Sequence, residues 1–276
     1  MLNCKHASLL LMALLMLMSC EKATFDKPKG DDPDVPIHND DPENPPSGDS
    51  DVCTLDVKIA PFSLISSAYS TETKLQYVLY DSLGNQFRSY GQSVGDDDFG
   101  HLTYSLKPGE YSLLVVGHSQ PNPEIENLQR LSYDPQVVDT YAAVASFRLA
   151  KGENKQLPIA LNCLTACLRV KFDAPVPNNL RSLRVEFSNG DNAVNPSTGF
   201  AIDDKASLVF CPIDETQWGS SDYTATFFRF LNTDSEEMNV TINAIDKGGE
   251  YVFGKVERKV ILSRGTMVDV TFHTSK

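Results

Sequence analysis

Positions 9–20 read LLLMALLMLMSC and end in a thiol whose neighbours suit one kind of chemistry. Leu17, Met18 and Ser19 place an aliphatic residue three positions before Cys20 and a small one directly before it, the pattern of a lipobox. In that chemistry Cys20 takes a diacylglyceryl group on sulfur and the chain is cut in front of it. Lys5 supplies a positive start, and residues 7–18 form an apolar run too short as a helix to cross a hydrocarbon core ~30 Å thick. Residues 1–19 are therefore expected to leave as a signal peptide. An ordinary secretory signal would explain the apolar run, but not why it stops at Ser-Cys and turns acidic. Each acyl methylene buried in a bilayer contributes about 0.8 kcal/mol, and stable anchoring takes more than one chain.

Other reactive residues do not assemble so clearly. Of six cysteines, Cys4 leaves with the signal and Cys20 is acylated, so Cys53, Cys163, Cys167 and Cys211 remain. An exported compartment permits disulfides, and four thiols allow several pairings. If residues 164–173 are one strand, Cys163 and Cys167 lie about 13 Å apart at ~3.3 Å per residue, too far for a bridge. Free thiols or one long-range disulfide fit the spacing better than zinc, because no His pair or second close Cys pair accompanies the C-x3-C. His6, His38, His101, His118 and His273 are scattered. GEYVFGK at 249–255 fits seven positions of a phosphate-binding loop, but Val256 stands where a magnesium-holding Ser or Thr belongs, so a glycine-cornered hairpin is expected. Asp96, Asp97 and Asp98 read as an exposed loop tip. The single tryptophan, Trp218, sits in a Gly/Ser-flanked loop and is the one candidate platform for a sugar. No catalytic constellation, metal site or cofactor is expected.

The formal charge is −13, one unit more negative once Lys5 is removed. A nucleic-acid partner is excluded, since binding a polyanion requires clustered Lys and Arg that release counterions. Residues 20–50 hold nine acids and six prolines with almost nothing apolar after Cys20. Such a segment cannot bury enough surface to offset its ordering entropy, so it reads as an acidic tether reaching roughly 30 Å as a coil. The pairs Asp31-Asp32 and Asp40-Asp41 lack calcium-ligand spacing and read as solvated charge.

From residue 51 onward period-2 alternation dominates: Cys53, Leu55, Val57 and Ile59 against Thr54, Asp56 and Lys58, then Leu75, Tyr77 and Leu79 before the turn at 81–85. Residues 101–106 and 110–116 are expected to form a hairpin across Lys107-Pro108-Gly109, with glycine free to take φ > 0. A short helix is expected around 124–131. Leu164, Ala166, Leu168, Val170 and Phe172 form one buried face, and further strands are expected up to 268–272. Short strands with turn punctuation and no long 3.6-period segment predict an all-β fold, two β-sandwiches divided near 157–164, with 51–161 as the first and 162–276 as the second.

In this order the parts resemble the FimB/Mfa2 family of Bacteroidales fimbrial anchor and accessory subunits. The resemblance is carried by the lipobox, the acidic proline-rich tether, CTLDVKI at 53–59, LQYVLYDSLGNQF at 75–87, LTYSLKPGEYSLLVVG at 102–117 and LPIALNCLTACLRVKF at 157–172. It covers most of residues 17–175. It implies two transthyretin-like β-sandwiches and lipid attachment to an outer membrane, facing outward. It also implies a non-enzymatic role in anchoring or terminating a fimbrial polymer built by strand donation. Fimbrial subunits are then the expected partners, with room for a glycan or host ligand. The residues themselves leave open whether 266–276 packs in its own half or swaps. They also leave a second class, a surface glycan-binding lipoprotein of a nutrient-uptake system, and a third, an exported hydrolase that lacks a convergent nucleophile and base.

Overall fold

The alternating segments become strands throughout the computed structural model, which describes residues 52–64, 73–251 and 255–274. Leu17, Met18, Ser19 and Cys20, the whole tether and its acid pairs lie outside the described residues. Seven strands build the first arrangement: β1 (Cys53–Ile59), β2 (Lys74–Asp81), β3 (Gln86–Ser93), β4 (His101–Leu106), β5 (Gly109–His118), and then β8 (Thr140–Leu149) and β9 (Asn154–Ile159). Between β5 and β8 run two short strands, β6 (Glu124–Asn127) and β7 (Arg130–Ser132). One sheet has the order β4-β1-β9 and the facing one β8-β5-β2-β3. The central β1 is antiparallel to β4 and parallel to β9. Leu55, Val57, Leu75, Tyr77, Leu79, Leu113 and Val115 meet between the two sheets. Burying each such side chain contributes about 1.5–3 kcal/mol, which is what the alternation encodes.

After β10 (Asn162–Cys163), which pairs with β8, the same arrangement is built again. Its strands are β11 (Thr165–Phe172), β12 (Leu180–Phe187), β14 (Ser207–Pro212), β15 (Thr224–Phe230), β16 (Ser235–Asp246), β17 (Val256–Ser263) and β18 (Met267–Phe272), with a two-residue β13 (Ala193–Val194) between β12 and β14. The sheet orders are β15-β11-β18 and β17-β16-β12-β14. Again the first strand is central, antiparallel to the fourth and parallel to the last. Strand for strand, β1, β2, β3, β4, β5, β8 and β9 correspond to β11, β12, β14, β15, β16, β17 and β18. The sequence carries no short-period repeat to announce this, because a sheet needs only apolar residues at alternate positions, which very different sequences supply.

A third apolar cluster joins the two arrangements. Val78, Tyr80, Leu114, Val116, Leu131 and Tyr133 pack against Leu164, Cys167, Val194, Phe228 and Phe230. Tyr133 stacks on Phe230 with ring centroids 6.2 Å apart. At the same seam the Tyr133 hydroxyl and Thr140 Oγ1 are 2.8 Å apart, Leu164 N donates to Thr140 O at 2.9 Å, and Thr165 Oγ1 donates to Asp139 Oδ1 at 3.3 Å. These buried hydroxyls and amides are paired, as a dry seam favours, whereas the buried Tyr80 hydroxyl in the same cluster has no partner among the described residues.

Three expectations change. Residues 101–106 and 109–118 are not a hairpin: β4 and β5 lie in opposite sheets, and the turn at 107–109 carries the chain across the core. Tyr104, Leu106, Leu113 and Val115 all point into that core, a demand that outweighs the turn's suitability for pairing neighbours. Gly109 is not among the positive-φ glycines. Instead an added Cβ there would sit 3.3 Å from the Tyr111 ring. The expected helix at 124–131 is the β6–β7 hairpin, because β7 finds a partner in the distant β13. Leu164 does not share a face with Ala166 and Leu168: it falls in the seam cluster while they enter the second core. The chain changes sheets between β10 and β11.

Candidate functional site

The residues singled out for chemistry are not brought together. Cys53, Cys163, Cys167 and Cys211 are all free thiols. Burial pushes the thiol of Cys167 up to about 12, and burial likewise raises those of Cys163 and Cys211. None of these three is a thiolate nucleophile at neutral pH. Asp96 closes a turn by accepting from Ser93 N at 2.7 Å, and Asp98 O accepts from the Gln92 amide at 2.9 Å. His101 pairs with Asp56, and His273 lies 2.9 Å from Asp173. Gly249 forms a turn after β16, donating to Asp246 O at 3.1 Å, and 252–254 lie outside the described residues. Among the described residues no group of three or more His, Cys, Asp or Glu could hold a metal, and no helix is long and apolar enough to cross a membrane.

Trp218 is not an open platform. It is half-buried against the second core, its indole N–H donates to Leu180 O at 2.8 Å, and Lys247 Nζ covers the ring at 4.3 Å from the centroid. The short 3-10 turn Glu215–Gln217, capped by Asp214, sets that position.

His118, at the end of β5, is fully buried, with Nδ1 2.5 Å from Ser119 O and Nε2 without a partner among the described residues. Burial, reinforced by the positive charge of Lys74, lowers its pKa to about 4. The unfolded chain takes up a proton near 6.5, whereas the folded one resists until about pH 4. Stability is therefore full above pH 6.5 and falls as the pH drops towards 4, by up to about 3 kcal/mol. Urea titrations at pH 7.5 and 4.5 are expected to differ by a large part of that amount, and a His118→Gln variant should lose this component. An equal loss in both proteins would assign the acid sensitivity to other groups.

What remains, among the described residues, is a set of strand edges without a neighbouring strand, each presenting a row of backbone N–H and C=O groups. Most carry charge: Arg88 on β3, Lys155 with Pro158 on β9, Glu257, Arg258 and Lys259 on β17, and Asp269 on β18. Strand β15 has Arg229, and its end is bridged by Asp191. Among the described edge strands longer than two residues, only β4 and β14 carry no Asp, Glu, Lys or Arg, and β14 alone also lacks a histidine. Its sequence is SLVFCP, and Leu208 and Phe210 are exposed while Val209 is buried.

Across the outward face of the β14-containing sheet, Phe210 neighbours Arg184 on β12, which neighbours Asn243 on β16. In the next row Leu208, Glu186, Thr241 and Glu257 follow one another. Arg184 is ion-paired with Glu186 at 2.8 Å and donates to the Tyr251 hydroxyl at 2.8 Å. The continuous apolar run Leu208-Val209-Phe210-Cys211 suits a strand but gives no sign of which face lies off the core or that it stands at an undefended edge.

The fold is thus an all-β chain in which one seven-strand, two-sheet arrangement occurs twice. No protein-family model matches the sequence. No curated protein sequence matches it either. Among solved structures it is similar to a candidate adhesin from Bacteroides ovatus, with 12% identity over 80% of this chain and 88% of that one and a TM-score of 0.48. It is also similar to the fimbrial anchor protein Mfa2 from Porphyromonas gingivalis, with 16% identity over 74% of this chain and 82% of that one and a TM-score of 0.39. The tip fimbrial protein Mfa3 from the same organism is a third, with 12% identity over 76% and 81% of the two chains and a TM-score of 0.36.

Proposed function

We propose that this chain is a non-enzymatic cell-surface lipoprotein that anchors or accompanies a fimbria. The observation that carries this reading is the order of parts: a lipobox ending at Cys20, an acidic tether, then a doubled two-sheet arrangement with open edges. A subunit held at its N-terminus by lipid suits the cell-proximal end of a polymer, and an open edge can accept an extended segment from the next subunit through main-chain hydrogen bonds. In this proposal 1–19 is the signal peptide and 20–50 the tether. Residues 51–161 and 162–276 are two transthyretin-like β-sandwiches, and the protein faces outward from the outer membrane. Support comes from the family resemblance over residues 17–175, and from the solved fimbrial and adhesin proteins to which the fold is similar.

The test is a pull-down from intact cells carrying a tagged chain, in parallel with Cys20→Ala. The expected result is co-purification with fimbrial polymer subunits from the membrane fraction. The Cys20→Ala protein should leave that fraction, since it loses acyl chains whose burial contributes about 0.8 kcal/mol per methylene. A chain that arrives alone, or with a porin-type transporter, would favour the nutrient-uptake alternative. Cys20→Ala protein that stays with membranes would overturn the lipid anchor.

A further inference from the structure

We propose that the end of the first strand arrangement at which the chain enters, beside Val52, docks on an anionic lipid surface. The inference rests on the lipid-anchor reading for what brings such a surface within reach, and on the structure for the chemistry of the contact. The strand register gathers four segments at this end. Cys53, at the start of β1, pairs with Leu106 at the end of β4, and Thr54 pairs with Asn154, the first residue of β9. Asp81, at the end of β2, pairs with Tyr111, and Gly109, at the start of β5, pairs with Leu149 at the end of β8. The turns at 82–85, 107–108 and 150–153 therefore share one end with Val52. Exposed apolar side chains stand on it: Leu83 is 84% exposed, the most of any large apolar residue among those described, Phe87 52% and Val52 41%. Leu83 occupies the tip of a braced turn, in which Asp81 Oδ1 accepts from Leu83 N and Asn85 N, both at 2.9 Å. Phe87 lies 6.4 Å from the Tyr111 ring, with the Arg88 guanidinium over its own ring at 5.4 Å.

The charge at this end is opposite to that of the chain. Residues 52–54, 81–88, 106–111 and 147–155 contain five cations, Arg88, Lys107, Arg148, Lys151 and Lys155, in a chain whose net charge is −13. Against them stand three acids, of which Asp81 is taken up by its turn and Glu153 by Ala150 N and Lys155. The opposite end of the same arrangement carries Asp96, Asp97 and Asp98 in the turn before β4. An aliphatic tip beside an aromatic ring, surrounded by Lys and Arg, suits the headgroup region of a bilayer. The apolar groups enter the acyl boundary, and the cations stay among anionic headgroups with their methylene stems against the apolar part. The tether joins the chain at this end and reaches roughly 30 Å as a coil, so a lipid on Cys20 would hold the basic end, rather than the acidic one, close to a bilayer. The acidic tether itself could meet the cations, but it is almost without apolar residues to cover Leu83 and Phe87. A lipid surface satisfies both requirements.

The test uses the mature chain from Glu21, held on vesicles through an N-terminal hexahistidine and a nickel-chelating lipid, so that docking is read whether or not Cys20 is acylated in cells. Leu83→Trp keeps a large apolar group at the tip and reports its depth through quenching by brominated phosphatidylglycerol, with Trp218 of the second arrangement as a constant background. The expected result is quenching of the added tryptophan on phosphatidylglycerol vesicles, weakened by high salt. Ile261→Trp, at a 61% exposed position on β17, should stay unquenched. Adding Lys107→Glu and Arg148→Glu to Leu83→Trp should lower the ratio of docked to undocked chain at least about tenfold, since each reversal turns an attraction to the headgroups into a repulsion. Unaltered melting temperatures would show that these surface variants fold. No quenching at position 83, equal quenching on brominated phosphatidylcholine, or equal quenching at position 261 overturns the proposal. So does a wild-type dimer in light scattering that Leu83→Lys converts to monomer, because a second copy would then cover this end. Failure of the lipid anchor itself is read separately, from Cys20→Ala protein that stays with membranes.

Discussion

A chain truncated after Gly265 is expected to lose the cooperative unfolding of its second strand arrangement. Residues 267–272 form β18, which lies parallel to the central β11 from Cys167–Met267 to Phe172–Phe272. Phe272 is fully buried and Val270 nearly so, and Phe272 meets Phe172 edge-on at 5.7 Å. Removing one buried phenylalanine alone costs about 3–5 kcal/mol. Total stabilities are only about 5–15 kcal/mol, and here the ladder to β11 disappears as well. The Asp269 carboxylate, held down to about 2 by Arg169 and Lys171, also goes, leaving two cations on β11 without their partner. Urea unfolding should show no second-half transition in the truncated chain, and a Phe272→Ala variant should fold with stability reduced by about 3–5 kcal/mol. The contacts put β18 in its own half of this chain. A truncated protein that unfolds like the intact one and still joins fimbrial subunits would exclude β18 from both folding and assembly.

Arg229→Met should have the second-largest effect, a loss of about 3 kcal/mol, because it leaves Asn192 Oδ1 and the carbonyls of Asn189 and Lys205 without their buried donor and takes a positive charge from the neighbourhood of buried Asp191. Arg229 is 1% exposed, and burial lowers its pKa to about 10 despite the opposing pull of Asp191, Glu236 and Asp204. It donates to Asn192 Oδ1 at 2.7 Å and to the carbonyls of Asn189 and Lys205 at 3.3 Å, and it stands over the Phe187 ring at 5.6 Å. These contacts pin the segment between β12 and β14. That segment is tight: Gly190 has φ +89°, and an added Cβ would lie 2.7 Å from Phe230 O. The segment also carries β13, which pairs with β7 from the first arrangement. Loss of Arg229 should therefore release the seam as well as the loop, and limited proteolysis should cut first within 188–206. Unchanged stability and unchanged cleavage would mean that Asp191 is satisfied by its backbone donors, Asn192 N and Asp203 N, without the guanidinium.

The sequence by itself determined the strands, because period-2 alternation at residues such as 53–59 and 75–79 is a local consequence of one face being buried and the other wet. Which strands become partners was not legible. The turn at 107–109 could close a hairpin or cross a core, and only the inward demand of Tyr104, Leu106, Leu113 and Val115 separates the two. Residues 124–131 became strands because β13 lies more than sixty residues away yet arrives beside β7. Trp218 drew notice as an isolated aromatic, but tertiary contacts used its N–H and covered its ring. Phe210 drew none and stands in the open beside an uncharged edge. Alternation tells a strand that it has two faces. Which face meets another sheet, and which edge meets nothing, depends on contacts between residues far apart in the chain, so the repeat of the seven-strand arrangement and the undefended edge at β14 were decided only in the tertiary structure.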